Sequence, residues 1–131
     1  MKVLQFAFST DLKNPFLPKN YDKNCVCYTG THDNDTTLGW YEKLSQKEKF
    51  IFEKLVSHDK SGSPVLSLIS YGMKSKARIV IIPLNDYLEL PSSCRINSPG
   101  TKIGNWKWRY NKNFLTDELA ETILRLSDNR N

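Results

Sequence analysis

Three short apolar runs, Val3–Phe8, Cys25–Tyr28 and Ile79–Ile82, are separated by segments with helical periodicity, and this order constrains the fold more than any other feature. Each run is almost unbroken in apolar residues, as in strands covered on both faces. Runs of this kind joined through helices form a parallel sheet, because a parallel pair needs a long crossover. The expected order is strand, loop, strand, two helices, strand, loop, helix.

The helical segments carry their own start and stop signals. Asp33–Tyr41 begins a short helix. Ser45 and Glu48 have capping-box spacing ahead of a helix over Ser45–Ser57, whose stripe is Leu44, Ile51, Phe52, Leu55 and Val56. His58 reads as a solvated cap at its end. Ser63 is an N-cap with Pro64 in the favoured first position. The helix that follows buries Val65, Leu66, Leu68, Ile69 and Met73 and closes on Lys74 and Lys76. Pro83 stops the third strand, and Leu84–Leu90 forms a helical turn. Thr116 caps a last helix with Asp117 and Glu118 in its first turn and Leu119, Ile123 and Leu126 on one face. Ser9–Asn24, with Asn14-Pro15 and Leu17-Pro18, is a loop. Pro91–Asn113 is long and irregular, and such loops inside compact domains are usually functional.

At 131 residues the chain is one domain or part of one. Its 39% hydrophobic and 25% charged content fits a globular chain. No run reaches the about 18 apolar residues that span a bilayer, so no membrane association is expected. The apolar part of the N-terminus is about six residues long and is followed by charges and prolines, which argues against a signal peptide and for a cytoplasmic location. The net charge of +5 is mild. Lys43, Lys47, Lys49 and Lys54 alternate with Glu42, Glu48 and Glu53, so they form no single-sign patch. Three cysteines without a disulfide framework suit a reducing compartment. Cys25 and Cys27 share a strand face and read as small buried side chains rather than a metal pair.

Chemistry concentrates in two clusters. Tyr28-Thr29-Gly30-Thr31-His32-Asp33-Asn34-Asp35-Thr36-Thr37 follows directly on the second apolar run. A strand that delivers polar side chains at its C-terminal end is how an α/β barrel builds an active site. Its spacing matches no strong metal-ligand pattern, and no metal is expected. Asp35 reads as an N-cap or a loop support. The second cluster is Arg95-Ile96-Asn97-Ser98-Pro99-Gly100-Thr101 with Asn105-Trp106-Lys107-Trp108-Arg109. The alternation Trp106–Tyr110 occurs in single-strand nucleic-acid binders, but it also describes a strand with one buried and one solvated face. Without a wider basic patch, nucleic acid is not an expected partner.

Both clusters, together with Val3-Leu4-Gln5-Phe6-Ala7-Phe8 and Pro83-Leu84-Asn85-Asp86-Tyr87-Leu88, stand in the order found in 4-α-glucanotransferases, and the chain resembles the C-terminal part of that family, the amylomaltases or disproportionating enzymes. The resemblance implies about three βα units of a (β/α)₈ TIM barrel, strands six to eight, with residues 1–131 forming a single incomplete domain. It implies transfer of α-1,4-glucan segments between maltooligosaccharides by a retaining double displacement, with no cofactor. It gives Asp33 the transition-state and sugar-binding role and His32 a hydrogen bond to a neighbouring sugar hydroxyl. Asn97 would bind a glucose unit, Gly100 would allow close backbone approach, and Trp106 and Trp108 would face sugar rings or pack, with packing favoured for at least one. Cys25 and Cys27 stand where the family usually has a serine and a valine, Asn85 where it has glutamine, and Ile96 where it has methionine.

The family's Arg-x-Asp nucleophile segment and Glu-Asp-Leu-Gly acid/base segment do not occur in this sequence. The expectation is therefore a chain inactive alone, marginally folded or self-associated through its unclosed sheet, or paired with a missing N-terminal part. A non-catalytic glucan-binding fragment and a remnant without function are the alternatives.

Overall fold

The computed structural model describes residues 1–130. Three parallel strands form one sheet in the order β1 (Lys2–Val3), β2 (Val26–Tyr28), β3 (Ile79–Ile81). Lys2 pairs with Cys27 and Cys27 with Val80; Val3 pairs with Tyr28 and Tyr28 with Ile81. The crossover from β2 to β3 holds α1 (Thr37–Lys43), α2 (Gln46–Leu55) and α3 (Pro64–Met73). After β3 come α4 (Leu84–Tyr87), a long loop with short 3₁₀ turns, and α5 (Asp117–Ser127). Among the described residues, no helix is long and apolar enough to cross a membrane.

Local capping explains the helix starts. Ser45 accepts from the Glu48 amide while the Glu48 carboxylate accepts from the Ser45 amide, the reciprocal box expected from their spacing. Ser63 accepts from the Leu66 amide with Pro64 next to it, and Thr116 accepts from the Leu119 amide. Helix α3 packs against α1, α4 and α5. It contributes Leu68 to a core with Leu4, Phe8, Leu17, Cys27 and Phe52, and Val65, Leu66, Ile69 and Met73 to a second core with Leu126 of α5. At Gly72 it comes so near the sheet that an added Cβ would lie 2.9 Å from Leu4 Cδ1 and 3.7 Å from Cys27 Sγ.

Four local expectations are corrected. The first strand ends at Val3, and Leu4–Phe6 turns as a 3₁₀ helix. The reason is Gln5: its amide still reaches the Thr29 carbonyl at 3.2 Å, and its side chain turns to donate to the Asp35 carbonyl at 2.9 Å. Helix α1 starts at Thr37, because Thr36, not Asp33 or Asp35, supplies the capping oxygen, to the Gly39 amide. Residues 106–110 form no strand. His58 does not cap α2; its Nε2 lies 2.8 Å from Glu53 Oε2.

The two sheet faces differ. Cys27 and Val80 point into the helical layer, and Cys25 packs partly buried against the same core. Burial is the main force that pushes the Cys27 thiol up to about 11, so it stays protonated and apolar in character. By alternation Val26, Tyr28, Ile79 and Ile81 lie on the opposite face, where Ile79 is 49% and Ile81 45% exposed.

Candidate functional site

The site lies at the C-terminal ends of the strands, where side chains leave the sheet in parallel α/β folds. Tyr28 ends β2 and Ile81 ends β3, and with Gly30, Thr31, His32 and Asp33 they line an open cleft of 360 Å³. The loop 30–36 that carries His32 and Asp33 is held at several points. The Asn34 side chain accepts from both the amide and the hydroxyl of Thr31 at 2.8 Å. Asp35 is a loop support: its carboxylate takes Lys43 Nζ at 2.5 Å, Ser92 Oγ at 2.8 Å and the Thr36 amide at 2.8 Å. Partial burial works against the Asp35 charge, but the Lys43 and Ser92 hydrogen bonds and the Lys43 charge outweigh it and hold the carboxyl below its usual range.

Asp33 stands free of that scaffold, with its side chain 51% exposed. Asn97 Nδ2 donates to Asp33 Oδ1 at 2.7 Å, and His32 Nε2 stands 3.3 Å from the same oxygen. The backbones are joined as well, since the Asn97 amide donates to the His32 carbonyl at 3.1 Å. The Trp106 ring lies beside His32, with ring centroids 5.1 Å apart and planes tilted by 36°. Its amide donates to the Ile96 carbonyl at 2.7 Å, and its φ is +61°, a left-handed conformation that bulky residues rarely hold. The Trp106 ring is thus fixed beside the histidine while remaining largely exposed.

Of the residues singled out from sequence, His32, Asp33, Asn97 and Trp106 come together. Gly100 lies further out, in a turn where Thr101 donates back to Ser98, and nothing lies within 4 Å of a Cβ added there. Its φ of +81° is what calls for glycine. Trp108 is partly buried, so packing describes one tryptophan and exposure the other.

Arg95 is the residue whose place had no signal beyond lying in the second cluster. Its Nη2 donates to the Asp33 carbonyl at 2.7 Å and its Nε to the Asn97 carbonyl at 2.8 Å, so one guanidinium fixes both loops. Among the described residues, no group of three or more His, Cys, Asp or Glu is placed to hold a metal ion. What the arrangement offers is an exposed, oriented carboxylate and an imidazole lining an open cleft, with the exposed Trp106 ring beside the imidazole. That set suits a polyhydroxylated ligand, whose hydroxyls donate to the carboxylate and whose apolar ring face lies on an aromatic.

The family model described as 4-alpha-glucanotransferase matches residues 1–116. A 4-alpha-glucanotransferase of Synechocystis is 47% identical over 121 residues, covering 92% of this chain and 24% of the relative. A chloroplastic/amyloplastic 4-alpha-glucanotransferase of Solanum tuberosum is 45% identical over 128 residues, covering 98% of this chain and 22% of the relative. The solved structure of an amylomaltase from Streptococcus agalactiae in complex with acarbose superposes with a TM-score of 0.93 at 29% identity, covering 99% of this chain and 27% of that one. The chain spans about a quarter of the length of these proteins. Its three parallel strands and their helices are accordingly part of a TIM barrel. On sequence and fold together, the chain belongs to the 4-alpha-glucanotransferase family.

Proposed function

We propose that this chain is the C-terminal, sugar-binding part of a glucanotransferase active site, with α-1,4-glucans and maltooligosaccharides as ligands. The observation that carries the reading is the Asp33 carboxylate, half exposed in the cleft and oriented by Asn97, with His32 beside it and the Trp106 ring next to His32. The acarbose complex of the Streptococcus agalactiae amylomaltase supports an oligosaccharide-like ligand for this fold.

In the proposed reaction an aspartate nucleophile forms a covalent glycosyl intermediate, and a glutamate first protonates the leaving oxygen and then deprotonates the acceptor hydroxyl of a second glucan. Neither an Arg-x-Asp nor a Glu-Asp-Leu-Gly segment occurs among these 131 residues. This chain's share is therefore binding and transition-state stabilisation. Asp33 accepts hydrogen bonds from ring hydroxyls, and these tighten as positive charge develops on the sugar. His32 donates to an adjacent hydroxyl, and Asn97 keeps the carboxylate in one rotamer. Gly100, beyond the first contacts, takes the positive φ in the Ser98–Thr101 turn between Asn97 and Trp106 in sequence. The three free cysteines suit a reducing compartment such as the cytoplasm.

The test is a titration of the chain with maltotriose and maltoheptaose, read by Trp fluorescence and by NMR of His32, with a disproportionation assay alongside. Saturable binding that Asp33→Ala abolishes, without turnover, is expected. Turnover lost on Asp33→Ala would overturn the inactivity of the isolated chain. Identical titrations for the chain and Asp33→Ala would overturn the site.

A further inference from the structure

Asp86 takes no part in the chemistry above, yet it is a carboxylate only 2% exposed. Its surroundings are specific. Thr29 Oγ1 donates to Asp86 Oδ2 at 2.5 Å, Thr37 Oγ1 donates to the same oxygen at 2.7 Å, and the Thr37 amide donates to Oδ1 at 2.7 Å. Both threonines are fully buried. Among the described residues, no lysine, arginine or histidine nitrogen lies within 4 Å of this carboxylate, so three neutral donors alone compensate its charge. Burying a charge is costly unless it is paired or well hydrogen-bonded, and these three bonds offset part of that cost.

The geometry has one evident consequence. Thr29 is the residue before the loop 30–36, and Thr37 is the residue after it. One carboxylate, delivered by the short helix α4 beyond the next strand, therefore holds both feet of the loop that presents His32 and Asp33. We propose that Asp86 is a positioning residue for this site: through Thr29 and Thr37 it sets the separation of the loop ends, and hence where Asp33 and His32 stand relative to Asn97 and Trp106. Gln5 also reaches this loop, through the Thr29 and Asp35 carbonyls, but among the described residues only Asp86 bonds the side chains of both Thr29 and Thr37. Burial raises the Asp86 pKa, and the hydrogen bonds from Thr29 and Thr37 offset part of that rise. Asparagine has the same shape but one acceptor oxygen, and its amide would turn donors towards donors.

The experiment uses the whole chain with Asp86→Asn and the pairs Thr29→Val with Thr29→Ser and Thr37→Val with Thr37→Ser. Two signals are read: the ring-current shift that Trp106 imposes on the His32 imidazole, and maltotriose affinity. The methyl signals of Val65 and Leu126, in the remote α3–α5 core, report whether the fold persists. In folded Asp86→Asn and Val variants the His32 shift should collapse and affinity fall about tenfold, as for loss of one hydrogen bond to a charged group. The Ser variants, which keep the hydroxyl, should retain both signals. The affinity signal rests on the functional reading above; the His32 shift does not. A chain that never binds maltotriose would therefore sink that reading while leaving this inference to the His32 signal. Folded Val variants with an unchanged His32 shift would overturn the proposal. Unfolding of Asp86→Asn and of both Val variants would also overturn it, since Asp86 would then serve the fold as a whole.

Discussion

Asn97 donates its side-chain amide to Asp33 Oδ1 at 2.7 Å across 64 residues of sequence. That bond makes two loops into one site, because Asp33 follows β2 and Asn97 lies in the long segment after α4. The Arg95 guanidinium repeats the link at backbone level, from the Asp33 carbonyl to the Asn97 carbonyl.

Removing the amide should therefore weaken ligand binding more than folding. In Asn97→Ala the Asp33 carboxylate loses its fixed donor and samples other rotamers, and maltotriose affinity is expected to fall about tenfold. Because the pair is exposed, the unfolding free energy should change by no more than about 0.5 kcal/mol. Asn97→Asp sets a second carboxylate against Asp33 and should bind more weakly than the alanine variant, most visibly at low salt. Calorimetric titration beside urea melts checks both; equal affinity in all three proteins would refute the coupling.

Trp106 gives a sharper test of local strain. A non-glycine residue at φ +61° costs about 1 kcal/mol, and the cost here is borne by the Ile96 hydrogen bond and the His32 stack. Both Trp106→Ala and Trp106→Gly lose the stack, but only glycine relieves the backbone. Trp106→Gly is expected to be more stable than Trp106→Ala by about 0.5 kcal/mol, because the greater freedom of glycine when unfolded offsets part of the relief. Denaturant melts of the two variants decide the matter, and a more stable alanine would show that the strain is not there.

What could be read from sequence was local. Ser45 with Glu48, Ser63 with Pro64, and Thr116 with its acidic first turn are signals contained within one helical turn, and all three reappear as caps. The order of strands and helices was legible for the same reason. The end of β1 was not, because it depends on Gln5 reaching Asp35, a contact 30 residues away. Asp86 stood only as a member of the Pro83–Leu88 motif; its work with Thr29 and Thr37 exists only once β2, α1 and α4 have met. Arg95 is similar: an arginine in a polar loop has no partner until the fold supplies one.

Acid sensitivity should trace to Asp59. Arg125 of α5 donates to it twice, at 2.6 and 3.1 Å, and ties that helix to the α2–α3 connection. The Arg125 hydrogen bonds hold the Asp59 carboxyl far below its usual range. A lowered folded-state pKa contributes stability that is full above the unfolded value, near 3.9, and is lost as pH falls towards the folded value. Arg125→Met should cost about 1.5 kcal/mol at pH 7, an amount already reduced because the guanidinium is 38% exposed. Its stability should then fall less steeply than the parent's below about pH 4. Parallel slopes in melts from pH 7 to pH 3 would exclude the pair as the cause.

The sheet face opposite the helices sets the last expectation. In a parallel sheet both faces are normally covered, yet Ile79 and Ile81 are about half exposed on this one, and β1 and β3 each present an unpaired edge. Apolar surface and open edges of this kind drive one copy onto another, so the 131-residue chain should sediment as a concentration-dependent oligomer. Ile81 also lines the cleft at Asp33, so the discriminating substitution is Ile79→Lys, which places charge on the same face but outside that lining. It should shift the sedimentation profile towards monomer while leaving the His32 signals in place. A parent chain that is monomeric with a sharp, reversible melt would show instead that three strands and five helices suffice to satisfy this sheet without a neighbour.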